Sequence, residues 1–491
     1  MKQLTLADLI EGVGSWHPAG LKMPVHPILD SRTAEPKRDS SRREESRREE
    51  SRAVFFAFKG ENVDGHDYVG DAFKRGAVAA VIERDVDVEA CGAADVLDLA
   101  QATPTKPLAT PLLIRVPDTL DALQNAARFW RQKLNPRVIG ITGSVGKTTT
   151  KEVVTKVLAS RYHVQRNTGS YNNEIGLPLT LLQLTSEDTY VVLEMGMYVR
   201  GDICLLAEIA HPHVGIVTNV EPVHLERAGS IENIALGKRE LVESLPPAPE
   251  GIAILNYDDR RVRMMAEHTQ AQVFFYGLSS EAGLWADEVE TQGLEGIRLR
   301  LHYAGEQLYI KVPLLGRHSA HTVLRAAAAG LVEGLDWQEI VEGLRAPGAQ
   351  LRLVAGQGIK DSLILDDTYN SSPASALAAL NLLKTMEGRK IAVLGDMLEL
   401  GDYEEAGHLK VGCRTANIVA ELITVGERAH YIAQGAELCG LPRNRVHEMP
   451  DCEAAVAMLR ELLQPQDVIL VKGSRAMKME QIVMAISKEV P

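Results

Sequence analysis

The sequence predicts an α/β protein of three domains, the middle one carrying a nucleotide-binding loop. Three observations lead there. At 491 residues the chain suits roughly three domains of about 150 residues each. Short apolar runs alternate with helix-like stretches along most of its length, the pattern of mostly parallel sheets covered by helices. Finally, the segment Gly140-Ile-Thr-Gly-Ser-Val-Gly-Lys-Thr-Thr-Thr150 follows the apolar run that begins at Arg137 and precedes the helix-like Lys151–Leu158. That is the strand, glycine loop, helix order of a phosphate-binding loop.

The elements fall in order. Residues 1–107 hold strand-like Val54–Phe58 and Ala77–Ile82 with a helical stretch near Tyr68–Arg75, a small N-terminal α/β domain. Within it, residues 37–52 form a charged insertion built on the repeat Ser41-Arg-Arg-Glu-Glu-Ser-Arg-Arg-Glu-Glu-Ser-Arg52. With no apolar residue it has nothing to bury and reads as a solvated segment. The Pro-rich stretch Ala102–Pro111 reads as a linker or surface loop. Residues 108–346 form the central domain, with strands at Val138–Thr142, Tyr190–Leu193, Val214–Thr218 and Ile252–Leu255. A Rossmann-like third domain, residues 347–491, places strands at Leu363–Leu365, Lys390–Leu394, Glu421–Val425 and Asp467–Val471.

Composition excludes several classes. Hydrophobic residues make up 45% and charged residues 24%, ordinary for a globular protein with real cores. A formal net charge of −13 leaves no basic footprint for nucleic acid. The five cysteines are scattered and lack C-x-x-C spacing, so they read as isolated thiols of a reducing cytosol, not as a disulfide frame or zinc site. No signal-peptide core and no membrane-length apolar run is evident, so a cytoplasmic protein without membrane insertion is expected.

The loop carries the chemistry. Gly143 and Gly146 let backbone N–H groups turn inward, with Ser144 and Val145 between them. Lys147 adds a point charge, Thr148 a hydroxyl for Mg²⁺, and Thr149 continues the first helical turn. Ile141 stands where the common G-x-x-x-x-G-K-T pattern has its first glycine, leaving T-G-x-x-G-K-T-T. A glycine turn capping an ordinary helix is the plain alternative. Other polar groups stand at predicted strand ends, where ligands collect in such sheets. They are Glu194 after Tyr190–Leu193, His224 beyond Val214–Thr218, Asp366-Asp-Thr-Tyr-Asn370, and Lys472-Gly-Ser-Arg475. Each could instead be a cap or surface residue.

Taken together, Thr142–Thr149, the Glu194 strand end, the His224 loop and the lysine of Ala235-Leu-Gly-Lys238 resemble, in order, the Mur ligases, ATP-dependent amide-forming enzymes of peptidoglycan precursor synthesis. Four further motifs resemble the branch that adds D-alanyl-D-alanine. They are Asn172-Asn-Glu-Ile-Gly-Leu-Pro-Leu-Thr-Leu-Leu182, Asp366–Asn370, Val393–Gly401 with His408, and Lys472–Glu480. The resemblance implies that ATP phosphorylates the terminal carboxylate of UDP-N-acetylmuramoyl-tripeptide and that the dipeptide amine attacks the acyl phosphate. It makes this the last cytoplasmic step of the precursor, with consequences for cell shape and division, carried out by a monomer. It further implies two Mg²⁺ ions, held by Thr148 and Glu194 and by His224 and a carbamylated Lys238. Lys147, His224, Lys238, Arg352 and Asp367 would be catalytic. ATP would contact Gly143–Thr149, Asn256, Arg352 and Asp367, and substrate would contact Ser31, Arg32, Asn172, Asn173, Tyr369 and Asn370.

Some positions depart from the family pattern. His-Asn followed two residues later by Asn becomes His318-Ser319-Ala-His-Thr322, removing two amides able to read adenine. The Asn expected after Gly169 is Ser170, and Met197-Tyr198 follow Gly196 in place of a small residue and Asn. Other readings stay open: a sibling ligase adding the third peptide residue, a folylpolyglutamate-type ligase, a nucleotide switch, or a non-catalytic nucleotide-binding relative.

Overall fold

The computed structural model describes the whole chain except residues 1, 15, 17, 19, 35–50, 61–62, 101–106, 170, 224, 347–353 and 489–491. The charged repeat up to residue 50, most of the Pro-rich stretch, Ser170, His224 and Arg352 therefore lie outside the described residues.

The three α/β domains are visible as three sheets. The first sheet comprises β1 (Val25–Ile28), β2 (Arg52–Phe56), β3 (Ala79–Ile82), β4 (Asp95–Asp98) and β5 (Leu112–Arg115) in the order β1-β2-β3-β5-β4, all parallel. Val54, Phe55 and Phe56 are buried in succession, as expected of a strand covered on both faces. The second comprises β6 (Arg137–Thr142), β7 (Val164–Arg166), β8 (Tyr190–Glu194), β9 (Val214–Val217), β10 (Ile252–Asn256), β11 (Gln272–Gly277), β12 (Leu284–Thr291), β13 (Ile297–Tyr303) and β14 (Glu306–Val312). Their order is β14-β13-β12-β11-β10-β9-β6-β8-β7. β9 to β12 run parallel, and β13 and β14 extend the sheet as antiparallel hairpins.

The third sheet comprises β15 (Val354–Gln357), β16 (Leu363–Asp367), β17 (Lys390–Gly395), β18 (Glu421–Val425), β19 (Val446–Met449) and β20 (Val468–Lys472), ordered β15-β16-β20-β17-β18-β19. Only the β15–β16 pair is antiparallel. Alternate strand residues feed two apolar cores, one with Leu365, Leu394 and Leu470, the other with Ile364, Val393 and Ile469.

Contacts group the chain into two compact units. The first is Met1–Gly140, Tyr162–Met195 and Cys204–Pro212; the second is Ile141–Arg161, Gly196–Ile203 and His213–Pro491. In the first unit Trp130, fully buried on the helix Thr119–Leu134, donates Nε1–H to the Leu184 carbonyl at 2.9 Å. In the second, the helix Lys147–Leu158 receives Trp337–Arg345, because Gly343 leaves its backbone open to Val157.

One expectation is corrected. Cys413 and Cys439 form a disulfide, their Cα atoms 5.1 Å apart. The helices Glu404–Thr415 and His430–Leu438 pack backbone to backbone through Gly412 and Gly435, and that approach brings two cysteines distant in sequence to a Cα separation a disulfide can span. Cys91, Cys204 and Cys452 remain free.

Candidate active site

The glycine loop Gly143–Thr149 lies in the second unit. β6 ends at Thr142, Gly143 turns the chain at φ +144°, and Gly146 at φ +85° starts the helix Lys147–Leu158. A side chain at Gly143 would collide with the Thr218 hydroxyl. The helix thus opens without a side-chain cap, directing its first N–H groups and its positive dipole end into the turn.

A second segment braces the loop. Ser144 N–H donates to the Asn219 carbonyl at 3.0 Å, and Val145 N–H to Asn219 Oδ1 at 2.9 Å. Thr218 Oγ1 donates to the Val145 carbonyl at 2.8 Å. Ser144 Oγ donates to the Glu221 carbonyl at 2.9 Å while Glu221 N–H donates back to Ser144 Oγ at 2.8 Å. Ser144 and Val145 therefore spend their N–H groups on the protein itself. Lys147 Nζ donates to the carbonyls of Gly143 at 2.8 Å and Ser144 at 3.3 Å, folded over the loop it was assigned to. Asn256, expected on the nucleotide, turns its amide to the Thr218 carbonyl at 3.1 Å and accepts from Asp258 N–H at 3.1 Å.

Lys238 is 3% exposed on the helix Ile231–Glu243. Burial first, and the positive charge of Lys147 second, hold its amine well below the ordinary lysine range. An uncharged buried amine is the form that reacts with CO₂. Met197, a departure from the family pattern, fills the space that Gly237 leaves open beside Lys238.

Glu194 belongs to the first unit and is 2% exposed. Asn172 Nδ2 donates to its Oε1 at 3.0 Å, and Asn167 clamps its backbone from both sides, accepting from Glu194 N–H at 2.9 Å and donating to its carbonyl at 2.9 Å. Asn172, read as a substrate contact, thus holds a carboxylate, and Asn173 accepts from Gly176 N–H at 2.9 Å, at the start of the next helix. Also in this unit, Ser31 Oγ donates to Asp71 at 2.7 Å and Arg32 folds onto Asp30. Buried His66 joins Asp64 at 2.6 Å through Nδ1 and accepts from Glu83 N–H through Nε2.

In the third domain the loops after β16, β17 and β20 meet, where adjacent strands are joined in opposite directions. Lys472, buried, donates to Asp367 at 2.7 Å and to the Asn370 carbonyl at 2.8 Å. Tyr369 stays exposed beneath the Arg475 guanidinium, 5.8 Å from its ring centre. His408 accepts from Met397 N–H at 3.0 Å through Nε2 and bonds the Glu404 carbonyl through Nδ1 at 2.7 Å.

Burial lowers the His408 pKa, so the fold disfavours the protonated ring. Below about pH 6.5 an unfolded histidine takes up a proton more readily than the folded one, and stability falls with pH. We expect the denaturant midpoint to drop between about pH 7 and pH 5, by at most about 1.4 kcal/mol per unit from this group. His408→Asn should flatten that drop; an unchanged slope would remove His408 as its source.

Among the described residues no cluster of three or more His, Cys, Asp or Glu side chains forms a ready-made metal cage. The oxygen donors present suit an ion that keeps most of its water. No described helix is long and apolar enough to cross a membrane.

With this geometry in hand, the likeness to known proteins is specific. Residues 45–131 match the Mur ligase family catalytic domain, 141–330 the Mur ligase middle domain, and 351–475 the Mur ligase glutamate ligase domain. The UDP-N-acetylmuramoyl-tripeptide–D-alanyl-D-alanine ligase of Bacillus subtilis is 35% identical over 437 residues, covering 88% of this chain and 89% of its own. The crystal structure of MurF from Acinetobacter baumannii superposes with a TM-score of 0.82 at 27% identity over 99% of both chains. MurF ligase from Thermotoga maritima, solved in complex with ADP, gives 0.75 at 24% identity over 94% of this chain and 96% of its own, a likeness of fold.

Proposed function

Because the chain belongs to the Mur ligase family, we propose that it joins D-alanyl-D-alanine to UDP-N-acetylmuramoyl-tripeptide at the expense of ATP. The observation that carries this is the braced loop Gly143–Thr149 with Lys147 and the buried Lys238 whose amine feels its charge. The γ-phosphoryl group passes to the tripeptide carboxylate, giving ADP and an acyl phosphate. The dipeptide amine then attacks the carbonyl carbon, the C–N bond forms, and phosphate leaves with the C–O electron pair. Negative charge builds on phosphoryl oxygens throughout, so positioning and charge neutralisation do most of the work. Lys147 and the helix dipole supply that neutralisation from the loop.

Mg²⁺, when bound, shields the phosphate oxygens. By the family resemblance, Thr148 and Glu194 would supply oxygen ligands for one ion, and the His224 imidazole nitrogen with a carbamylated Lys238 would hold a second. Arg352 and Asp367 are assigned to the nucleotide, Ser31 and Arg32 to the UDP end, and Asn172, Asn173, Tyr369 and Asn370 to the peptide ends. We place the domain boundaries near residues 107 and 346, and the working enzyme is a cytoplasmic monomer of cell-wall synthesis.

The test is phosphate release with ATP, Mg²⁺ and UDP-N-acetylmuramoyl-tripeptide, offering D-alanyl-D-alanine or single amino acids in parallel. Turnover that requires the dipeptide is expected. Turnover with a single amino acid instead would move the chain to a sibling ligase, and silence with all acceptors would sink the ligase reading.

A further inference from the structure

We propose that Arg325 is a nucleotide-binding residue whose guanidinium holds the phosphate chain of the nucleotide seated on the Gly143–Thr149 loop. The proposal rests on the nucleotide-site reading above and adds a residue that no motif contained. Arg325 stands on the helix Ser319–Val332, with 4% of its surface exposed. Helical side chains lean toward the helix N-terminus, and Arg325 does so, donating from Nη2 to Thr322 Oγ1 at 2.9 Å. The same Nη2 lies 3.3 Å from where a Cβ on Gly146 would sit, against the turn that opens the phosphate-binding helix.

Its charge is not matched by the protein. Among the described residues no carboxylate pairs with Arg325, and its buried Nε has no hydrogen-bond partner. The carboxylates of the neighbouring segment are committed elsewhere. Asp258 holds His321 at 2.8 Å and the Leu278 N–H at 2.7 Å; Asp259 accepts from Val220 N–H and caps the helix Arg260–Met264. What Arg325 does meet is the neutral Tyr276 side chain, with a hydrogen bond to its hydroxyl and the ring centre 5.9 Å from the guanidinium carbon.

A buried cation without an anion is costly, and one that faces a phosphate loop acquires its anion when nucleotide binds. A guanidinium offers five donors and no acceptor, which fits phosphate oxygens. The hydroxyls that replace the family's two asparagines point inward on the same helix. Ser319 donates to the Leu315 carbonyl at 2.7 Å, and Thr322 receives Arg325. Arg325 therefore supplies nucleotide-facing donors from the helix whose base-reading amides are gone.

Calorimetric titration of ADP, AMP and adenosine into wild type, Arg325→Met and Arg325→Lys tests this, alongside the KM for ATP and kcat. Arg325→Met should weaken ADP by about 10- to 100-fold, the range of a charged hydrogen bond. Adenosine should be unaffected, Lys should restore part of the loss, and KM should rise more than kcat falls. Equal loss for adenosine and ADP would overturn the phosphate assignment in favour of a base contact. Unchanged ADP binding in a variant, with wild type binding normally, would overturn it in favour of packing alone. If Arg325→Met does not fold, Arg325→Lys is read on the same panel. Failure of wild type itself to bind ADP would overturn the loop reading and this proposal together.

Discussion

Lys147→Ala is expected to cut ATP-dependent phosphate release by about 10³-fold while leaving the melting curve near that of wild type. The magnitude is that of removing one preorganised charge from a transition state that accumulates negative oxygen. The ammonium's bonds to the Gly143 and Ser144 carbonyls are not the turn's only support. Thr218, Asn219 and Glu221 hold Ser144 and Val145 through backbone and side-chain bonds, and Gly146 sets the helix start by its own φ. Loss of charge should therefore separate from loss of shape. Gly143→Ala makes the contrast, because a methyl group there meets the Thr218 hydroxyl and forces the brace apart. An alanine at 147 that turns over like wild type would end the phosphate-loop assignment.

Much of the fold was legible because buried parallel strands are apolar without interruption. Leu363-Ile-Leu, Lys390–Leu394 and Glu421–Val425 could be read directly, and they became β16, β17 and β18. Several of the strands that escaped have other chemistry. β4 and β7 are short edge strands with few apolar residues, and β13 alternates apolar with polar residues, Ile297-Arg-Leu-Arg-Leu-His-Tyr. Only its inward face is apolar, so it breaks every continuous run while matching a half-exposed hairpin strand.

The site divides in the same way. Glycine and lysine spacing announces the loop, because backbone conformation constrains neighbours in sequence. Its supports come from far along the chain: Asn219 for the loop, Asn167 for Glu194, Lys472 for Asp367. Asn172 and Asn256 stand out in the sequence as ligand contacts, and in the structure their amides bond the protein's own carboxylate and carbonyl. Their residue types say that a polar group is needed at those places; only the fold says for what. The Cys413–Cys439 pair follows the same logic, since two thiols 26 residues apart become partners only through helix packing.

Replacing Lys238 separates catalysis from stability, because the two should move in opposite directions. An unfolded lysine titrates near 10.4, whereas the folded amine is held well below that by burial and by Lys147. Below 10.4 the unfolded chain takes up a proton that the fold binds less readily, so the lowered pKa costs stability, and the cost shrinks as pH rises toward 10.4. Lys238→Met removes that cost at similar volume, and a melting temperature at or above that of wild type is expected at pH 7. Turnover should nonetheless fall by about 10²-fold or more, the scale of losing a charged group from the reacting centre. In its neutral form the amine takes up CO₂ to give a carbamate and a proton, placing an anion where the uncharged side chain had none. Lys238→Ala leaves room for a small carboxylate in that place, so acetate or formate should restore part of its activity, and wild type should respond to bicarbonate. A Lys238→Met protein that melts lower would mean that the ammonium is retained and paired in the fold. One that keeps its activity would remove Lys238 from the reaction altogether.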